Sequence, residues 1–130
     1  MTVLDSNVWI GYLYRGDPLH ARARTVVANL ADNAEEVLLP TYVILEVVTV
    51  LRVRAGAQHA AQFIRYATTT REIKIASLDS ALFPEVARLV AAGKHPGLSF
   101  TDLALLLLAR NHSVVTFDKR LSAAIRARRP

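Results

Sequence analysis

The stretch VLDSNVWI, residues 3–10, is the part of the chain that decides the fold. Residues 2–4 have the apolar character of a buried strand, and Asp5 follows at the carboxyl end of that strand. Ser6 or Asn7 can cap the short helix that comes next. In open parallel sheets, ligands bind at the carboxyl ends of the strands. We therefore expect Asp5 to lie at a ligand-binding edge.

The other end of the chain has a similar arrangement. Residues 113–117 predict a last strand, Asp118 follows it, and residues 119–128 predict a terminal helix. Between the two ends, apolar strands alternate with helical patterns, which indicates an α/β domain with a largely parallel sheet. The other predicted strands lie at residues 36–39 and 72–76, and the other helices at about residues 6–14, 17–32, 41–56, 58–67, 79–93 and 99–111. This topology brings Asp5 and Asp118 to the same edge of the sheet.

Two further carboxylates interrupt strongly apolar helices. Glu46 lies within YVILEVVTVL, residues 42–51, and Asp102 lies within FTDLALLLLA, residues 100–109. A buried carboxylate costs several kcal/mol unless it is paired, protonated or bound to a metal ion. Four acids from distant parts of the chain, each beside a core segment, therefore suggest one shared cation site.

Four carboxylates in one site would require a divalent cation. At a spacing of about 5 Å, each ionised pair would repel by roughly 3 kcal/mol at an effective dielectric constant near 20. Carboxylate oxygens suit hard ions such as Mg²⁺ or Mn²⁺. Two such ions about 4 Å apart can activate a water molecule and stabilise the leaving oxygen of a phosphodiester. The pattern thus favours a metal-dependent enzyme.

Each of the four acids also has a purely structural interpretation. Asp5 precedes a helix start, where a negative charge is favoured by the helix dipole. The sequence SFTD at residues 99–102 matches a capping box, and Asp118 could cap the last helix. Glu46 is too far into its helix to act as a cap, but it could lie on a solvent-facing strip beside Thr49.

Composition excludes several classes of function. The chain has 130 residues, which fits one domain, and 52% of them are hydrophobic, which argues against disorder. It has no cysteine, which excludes disulfides, thiolate metal sites and cysteine nucleophiles and fits a cytoplasmic protein. No apolar run approaches the roughly 18 residues of a membrane span, and the first residues do not resemble a signal peptide. The net charge of +5 fits either a basic protein with no polyanion partner or one that binds nucleic acid.

Four segments in this order resemble a PIN-domain ribonuclease, most closely a toxin of the VapC type. The segments are VLDSNVWI with Asp5, TYVILEVVTVL with Glu46, SFTDLALLLLA with Asp102 and TFDKRL with Asp118. The resemblance implies a single PIN-like domain over residues 1–130, a Rossmann-like three-layer sandwich. Its mostly parallel central sheet would have four to five short strands, flanked by about seven helices. Family domains commonly finish with another strand, but this chain ends in LSAAIRARRP, where no strand is predicted.

The resemblance also implies a function. It is Mg²⁺- or Mn²⁺-dependent endonucleolytic cleavage of RNA by a metal-activated water. The four acids would be the catalytic residues and the metal ligands, with Glu46 placing a second metal or the attacking water. Three neighbouring polar residues would orient carboxylates or waters: Ser6, Asn7 and Thr116. Family members usually form homodimers, and an antitoxin protein that covers or enters the active site silences the toxins.

Three basic residues near the predicted site are candidate contacts for RNA phosphates. They are Arg15, Lys119 and Arg120, whose side chains could form charge-assisted hydrogen bonds to phosphate oxygens.

Two other classes of function stay open. The chain could be an RNA- or protein-binding module without catalysis, in which the acids are structural and no Mn²⁺ site exists. It could instead be another α/β phosphate-handling enzyme, such as a phosphatase or a receiver domain. The DxDxT pattern of the phosphatases is absent after the first strand, however, and so are the paired N-terminal acids of a receiver.

Overall fold

The computed structural model describes residues 1–128, and its centre is a parallel sheet of four strands. The strands are β1 (Thr2–Leu4), β2 (Val37–Pro40), β3 (Ile73–Ala76) and β4 (Ser113–Val115), in the order β3-β2-β1-β4. Every neighbouring pair is parallel, and Thr2 lies opposite Val37 on one side and opposite Ser113 on the other. The predicted α/β fold with a mostly parallel sheet is confirmed.

Seven helices within the described residues cover this sheet. They are α1 (Ser6–Leu13), α2 (His20–Asp32), α3 (Thr41–Arg54), α4 (Ala57–Thr69), α5 (Leu82–Ala91), α6 (Phe100–Leu108) and α7 (Lys119–Arg128). Helices α1 to α4 contact one another, and α5 to α7 form a second contacting group. The chain runs from β1 to β3 in one direction along the sheet and then returns to β4 beyond β1. Right-handed crossovers therefore put the two groups on opposite faces, which gives the expected three layers.

The core forms where apolar helix faces meet the sheet. All three residues of β1 are buried, because this strand lies between β2 and β4. In α3, the residues at helical spacing that turn inward are Val43, Val47 and Leu51. In α6, residues 103–107 are all buried. Asp102 and Glu46 thus belong to helices whose positions are fixed by extensive apolar packing.

The starts of α1 and α2 differ from the prediction. Asp5 caps α1 instead of Ser6 or Asn7, because its carboxylate accepts a hydrogen bond from the Ser6 backbone N–H at 2.7 Å. Helix α2 begins later than predicted, since Asp17 uses its carboxylate to close a turn just before the helix. The N-cap of α3 is the proline before Thr41, so Thr41 is already helical. The order and type of the elements are unaffected by these shifts.

Strand β4 is an edge strand. It pairs with β1 and is followed by α7. Up to residue 128 no further strand follows, which agrees with the absence of a predicted strand in LSAAIRARRP. In the same described range, no helix has the length and apolarity needed to cross a membrane.

Candidate active site

The strand order creates a crevice between β1 and β4. The chain leaves β1 toward β2 but reaches β4 from the opposite side of the sheet, so these neighbouring strands form a topological switch point. The Asp5 backbone N–H donates to the Val115 carbonyl at 2.9 Å, which extends the ladder past the end of both strands. Thr116 is thereby placed beside Asp5, and Asp118 follows two residues later.

All four predicted acids line one cavity of about 390 Å³ at this crevice. Asp5 comes from the end of β1, Asp118 from the end of β4, Glu46 from the second turn of α3 and Asp102 from the first turn of α6. The other lining residues are Ser6, Asn7, Ile10, Asp17, Val50, Arg54 and Ser99. Residues that are far apart in sequence therefore face one space, as the sequence interpretation requires.

Asp5 is the buried member of this group. It is 3% exposed, and both of its carboxylate oxygens accept hydrogen bonds. Oδ1 accepts from the Ser6 backbone N–H, and Oδ2 accepts from Thr116 Oγ1 at 2.7 Å and from Asn7 Nδ2 at 3.3 Å. Burial raises the pKa of Asp5 above 3.8; these hydrogen bonds counteract the rise, and the charges of Asp102 and Glu46 add to it.

The three predicted supporting residues form a network around Asp5. Thr116 Oγ1 accepts from the Asp118 backbone N–H at 3.0 Å and from Asn7 Nδ2 at 3.3 Å. Asn7 Oδ1 accepts from the backbone N–H of Phe117 at 3.1 Å. These bonds join β1 to the segment after β4 and fix the direction of the Asp5 carboxylate. Ser6 extends the network, because its hydroxyl donates to Glu46 Oε1.

Asp102 and Asp118 combine a capping role with a place at the cavity. Asp102 Oδ2 accepts from the Ser99 backbone N–H at 3.0 Å, and Ser99 Oγ accepts from the Asp102 backbone N–H at 3.1 Å, which completes a capping box. Asp118 Oδ1 accepts from the backbone N–H of Leu121 at 2.9 Å at the start of α7. The structural and functional interpretations of these two acids therefore do not exclude each other.

The expectation that all four acids are buried is wrong. Asp102 and Asp118 are half-buried, and Glu46 is exposed. Helix α3 turns Val43, Val47 and Leu51 inward, which leaves Glu46 at the rim of the cavity. Glu46 does lie on the exposed side with Thr49, but it is held there by Ser6 and not by solvent alone.

The donor set is chemically suited to a hard divalent ion. Within residues 1–128, Asp102, Asp118 and Glu46 each engage one carboxylate oxygen in a hydrogen bond and keep the other without a protein donor. None of the cavity acids forms an ion pair in the described chain. As the side chains stand, no three His, Cys, Asp or Glu residues among those described are grouped closely enough to hold an ion. The chemistry of the ligands fits, but the side chains would have to rotate to converge.

Sequence reasoning missed two charged residues of the cavity. Asp17 lies in the turn before α2, and Arg54 is the last residue of α3. Arg54 could have been found from spacing, because Glu46, Val50 and Arg54 follow one another at intervals of four residues along one helix face. Asp17 carries no such signal, since its position depends on how α2 packs against α1.

The predicted RNA contacts lie around the cavity rather than in it. Arg15 lines a separate cavity together with Tyr12 and Arg24. Lys119 and Arg120 directly follow Asp118 and are exposed, and the Arg120 side chain lies against Gly97. Their contact with RNA stays a prediction.

Comparison with known proteins identifies the family. A family model described as the PIN domain matches residues 2–126. A solved structure with a similar fold is Mycobacterium tuberculosis VapC20, a sarcin–ricin loop cleaving toxin, with a TM-score of 0.81 and 19% sequence identity over 95% of each chain. At this identity the likeness shows the shared fold alone. No curated protein sequence matches the chain significantly. Because the family model spans nearly all of it, the chain belongs to the PIN-domain family.

Proposed function

We propose that this protein is a divalent-metal-dependent endoribonuclease and the toxin of a VapBC-type toxin–antitoxin pair. The observation that carries the proposal is the acidic cavity at the β1–β4 crevice, lined by Asp5, Glu46, Asp102 and Asp118. Membership of the PIN-domain family and the fold shared with VapC20 support a ribonuclease toxin. The basic net charge of +5 also favours a polyanionic substrate.

The four acids would hold Mg²⁺ or Mn²⁺. The oxygen that each of Glu46, Asp102 and Asp118 keeps without a protein donor in the described residues is available for this purpose. When bound, the ion would stabilise negative charge on phosphate oxygens and lower the pKa of water. Without it, these carboxylates would repel one another and any RNA phosphate that entered the cavity.

The chain's own residues would orient the reactants. Thr116 and Ser6 fix the two oxygens of Asp5, so that this carboxylate needs no reorganisation when substrate arrives. Glu46, at the open rim, would position the attacking water. Water would add to phosphorus in line with the departing O3′, which would leave a 5′-phosphate and a 3′-hydroxyl. We also propose a preference for single-stranded RNA.

We further propose a homodimer and a protein antitoxin as partners. The outer face of α3 carries two large apolar side chains, Leu45 at 69% and Val53 at 83% exposure. Exposed apolar surface on one helix is a candidate for burial in a protein interface. Light scattering would detect the dimer, and Val53→Glu should shift it toward the monomer.

RNA cleavage by the purified protein tests the proposed function. The wild type, Asp5→Asn and Asp118→Asn would be incubated with a sarcin–ricin loop hairpin and with an unstructured RNA, with Mg²⁺, with Mn²⁺ or with EDTA. We expect metal-dependent cleavage by the wild type and a loss of roughly a hundredfold or more in both variants, since metal-ion catalysis contributes several kcal/mol. Circular dichroism would verify that the variants are folded. Full activity of either folded variant, or full activity in EDTA, would refute the proposal.

A non-catalytic binding module is the second candidate. It is favoured by the capping roles of Asp102 and Asp118, which give both acids a structural purpose. This candidate predicts RNA binding without cleavage in every metal condition of the same experiment.

A further inference from the structure

Arg54 is the basic residue of the acidic cavity. Among the described residues that line this space, five are acidic and one, Arg54, is basic. The acids are Asp5, Asp17, Glu46, Asp102 and Asp118. An arginine in such surroundings would be expected to pair with one of the carboxylates, because a guanidinium and a carboxylate form strong bidentate hydrogen bonds.

The guanidinium of Arg54 nevertheless has no such partner. Within residues 1–128, the ion pairs join Lys74 to Glu36 and Arg110 to Glu85. Arginine side chains in this range also donate hydrogen bonds at Arg110 and Arg126, but none is formed by Arg54. The residue is exposed and can reach solvent from the edge of the cavity. Arg54, whose guanidinium has five N–H donors, therefore lines an acidic cavity without pairing with any of its carboxylates.

Helix geometry places this cation at a defined distance from the acids. Glu46 and Arg54 lie on the same face of α3 with Val50 between them, and all three line the cavity. Eight residues of α-helix correspond to about 12 Å along the axis. Along α3, the part of the helix that lines the cavity thus begins at a carboxylate residue, Glu46, and ends at Arg54.

We propose that Arg54 binds a backbone phosphate of the RNA substrate, next to the phosphate that is cleaved. This inference rests on the proposed ribonuclease function and adds a substrate-binding residue to it. The scissile phosphate would lie at the acids, where a divalent ion makes an anion tolerable, and a flanking phosphate would meet the guanidinium. Arginine suits this role because its planar donors match phosphate oxygens in pairs. The contact would set the register of the strand and carry no base preference.

The chain provides a matched control in Arg52. Both arginines lie in the last turn of α3, where each cation is favoured by the helix dipole to a similar extent. Side chains two positions apart on an α-helix point in directions that differ by about 160°. Arg52 is exposed and is not among the residues that line the cavity. A comparison of the two substitutions therefore separates phosphate binding from helix stability and from net charge.

The test measures RNA affinity in a variant that should not cleave. Arg54→Gln and Arg52→Gln would each be combined with Asp118→Asn, and binding of a labelled single-stranded RNA would be followed by fluorescence anisotropy at several salt concentrations. We expect Arg54→Gln to weaken binding roughly tenfold or more, as for a lost hydrogen bond between charged groups. The slope of log affinity against log salt should fall by about 0.7, which corresponds to one phosphate of a single strand. Arg54→Lys should restore part of the affinity, and Arg52→Gln should change neither quantity.

Equal RNA affinities and salt slopes for Arg54→Gln and Arg52→Gln would overturn the inference. So would a loss of folding stability in Arg54→Gln without a loss of RNA affinity, since that result would make Arg54 an internal counter-ion of the acids. Failure of this inference and failure of the proposed function give different results. A wild type that binds but never cleaves RNA would refute the nuclease, while the ratio of the two variants would still report on Arg54.

Discussion

The acidic cavity has two walls that are built in different ways. The sheet wall consists of the cavity residues Asp5 and Asn7 and of Thr116, which forms hydrogen bonds with both from a position more than 100 residues away in the chain. The helix wall, formed by Glu46 and Asp102, carries its carboxylates on α3 and α6. The Asp102 side chain bonds the backbone only three residues away, within its own cap.

This difference separates a preorganised part of the site from an adaptable one. On the sheet wall, Asp5 is buried and both of its oxygens have donors, so its direction is fixed by the fold. On the helix wall, the side chains are exposed or half-exposed, and each keeps an oxygen without a donor among the described residues. We expect the sheet wall to fix the position of a bound ion and the helix wall to rotate onto it.

The largest loss of activity is expected for Thr116→Val on the sheet wall. The substitution keeps the shape of the side chain but removes the hydroxyl that donates to Asp5 and accepts from the Asp118 backbone N–H. Residues that orient a metal ligand typically contribute 10- to 100-fold to activity or metal affinity, so we expect a loss of about this size in kcat/KM for RNA. Steady-state cleavage assays measure it. Unchanged kcat/KM in the valine variant would show that the sheet wall is not preorganised by Thr116.

A smaller effect is expected for Ser99→Ala on the helix wall. This change removes one half of the capping box of α6, which should lower the free energy of unfolding by about 1 kcal/mol. Asp102 keeps its carboxylate and the hydrogen bond that this group accepts from the backbone N–H of residue 99, so activity should fall less than in Thr116→Val. Urea unfolding measures the free energy of unfolding, and the same cleavage assay measures the activity. A larger loss of activity than in the valine variant would reverse the roles assigned to the walls.

The smallest effect concerns the pH dependence of stability. Burial raises the pKa of Asp5 in the folded state above its ordinary value of 3.8. The folded state therefore binds more protons than the unfolded state between these two pKa values, and stability falls as the pH rises through the folded pKa. In EDTA, the unfolding free energy of the wild type should decrease relative to Asp5→Asn between pH 4 and pH 7. An unfolding free energy of the wild type that stays constant relative to Asp5→Asn over this range, or that rises relative to it, would contradict a carboxylate whose pKa is raised by burial.

Most of the fold could be predicted from the sequence because its signals are local. The apolar runs and the residues after them identify every strand and helix, and the bounds of β1 and α7 agree with the prediction. Helix starts are less accurate, since Asp5 takes the backbone donor at the start of α1 and Asp17 binds a backbone donor in the turn before α2. Such competition is decided by three-dimensional geometry and not by residue type.

The candidate site could be predicted only in part. The ends of β1 and β4 follow from topology, so the proximity of Asp5 and Asp118 could be expected before the structure. Burial could not be read in the same way, because an apolar helix such as α3 can still turn one residue, Glu46, to the rim. Asp17 entered the site through helix packing, which no local pattern encodes, whereas the spacing of Arg54 from Glu46 along α3 could have indicated its place.

Mn²⁺ binding tests most directly whether these acids form one cation site. Isothermal titration of the metal-free wild type would be compared with Asp5→Asn, with Asp118→Asn and with Glu36→Gln, an exposed acid that pairs with Lys74 away from the cavity. We predict saturable binding by the wild type and Glu36→Gln, strongly weakened binding by both aspartate variants, and thermal stabilisation by Mn²⁺ only where it binds. Identical titration curves for all four folded proteins, or no heat with any of them, would contradict the account.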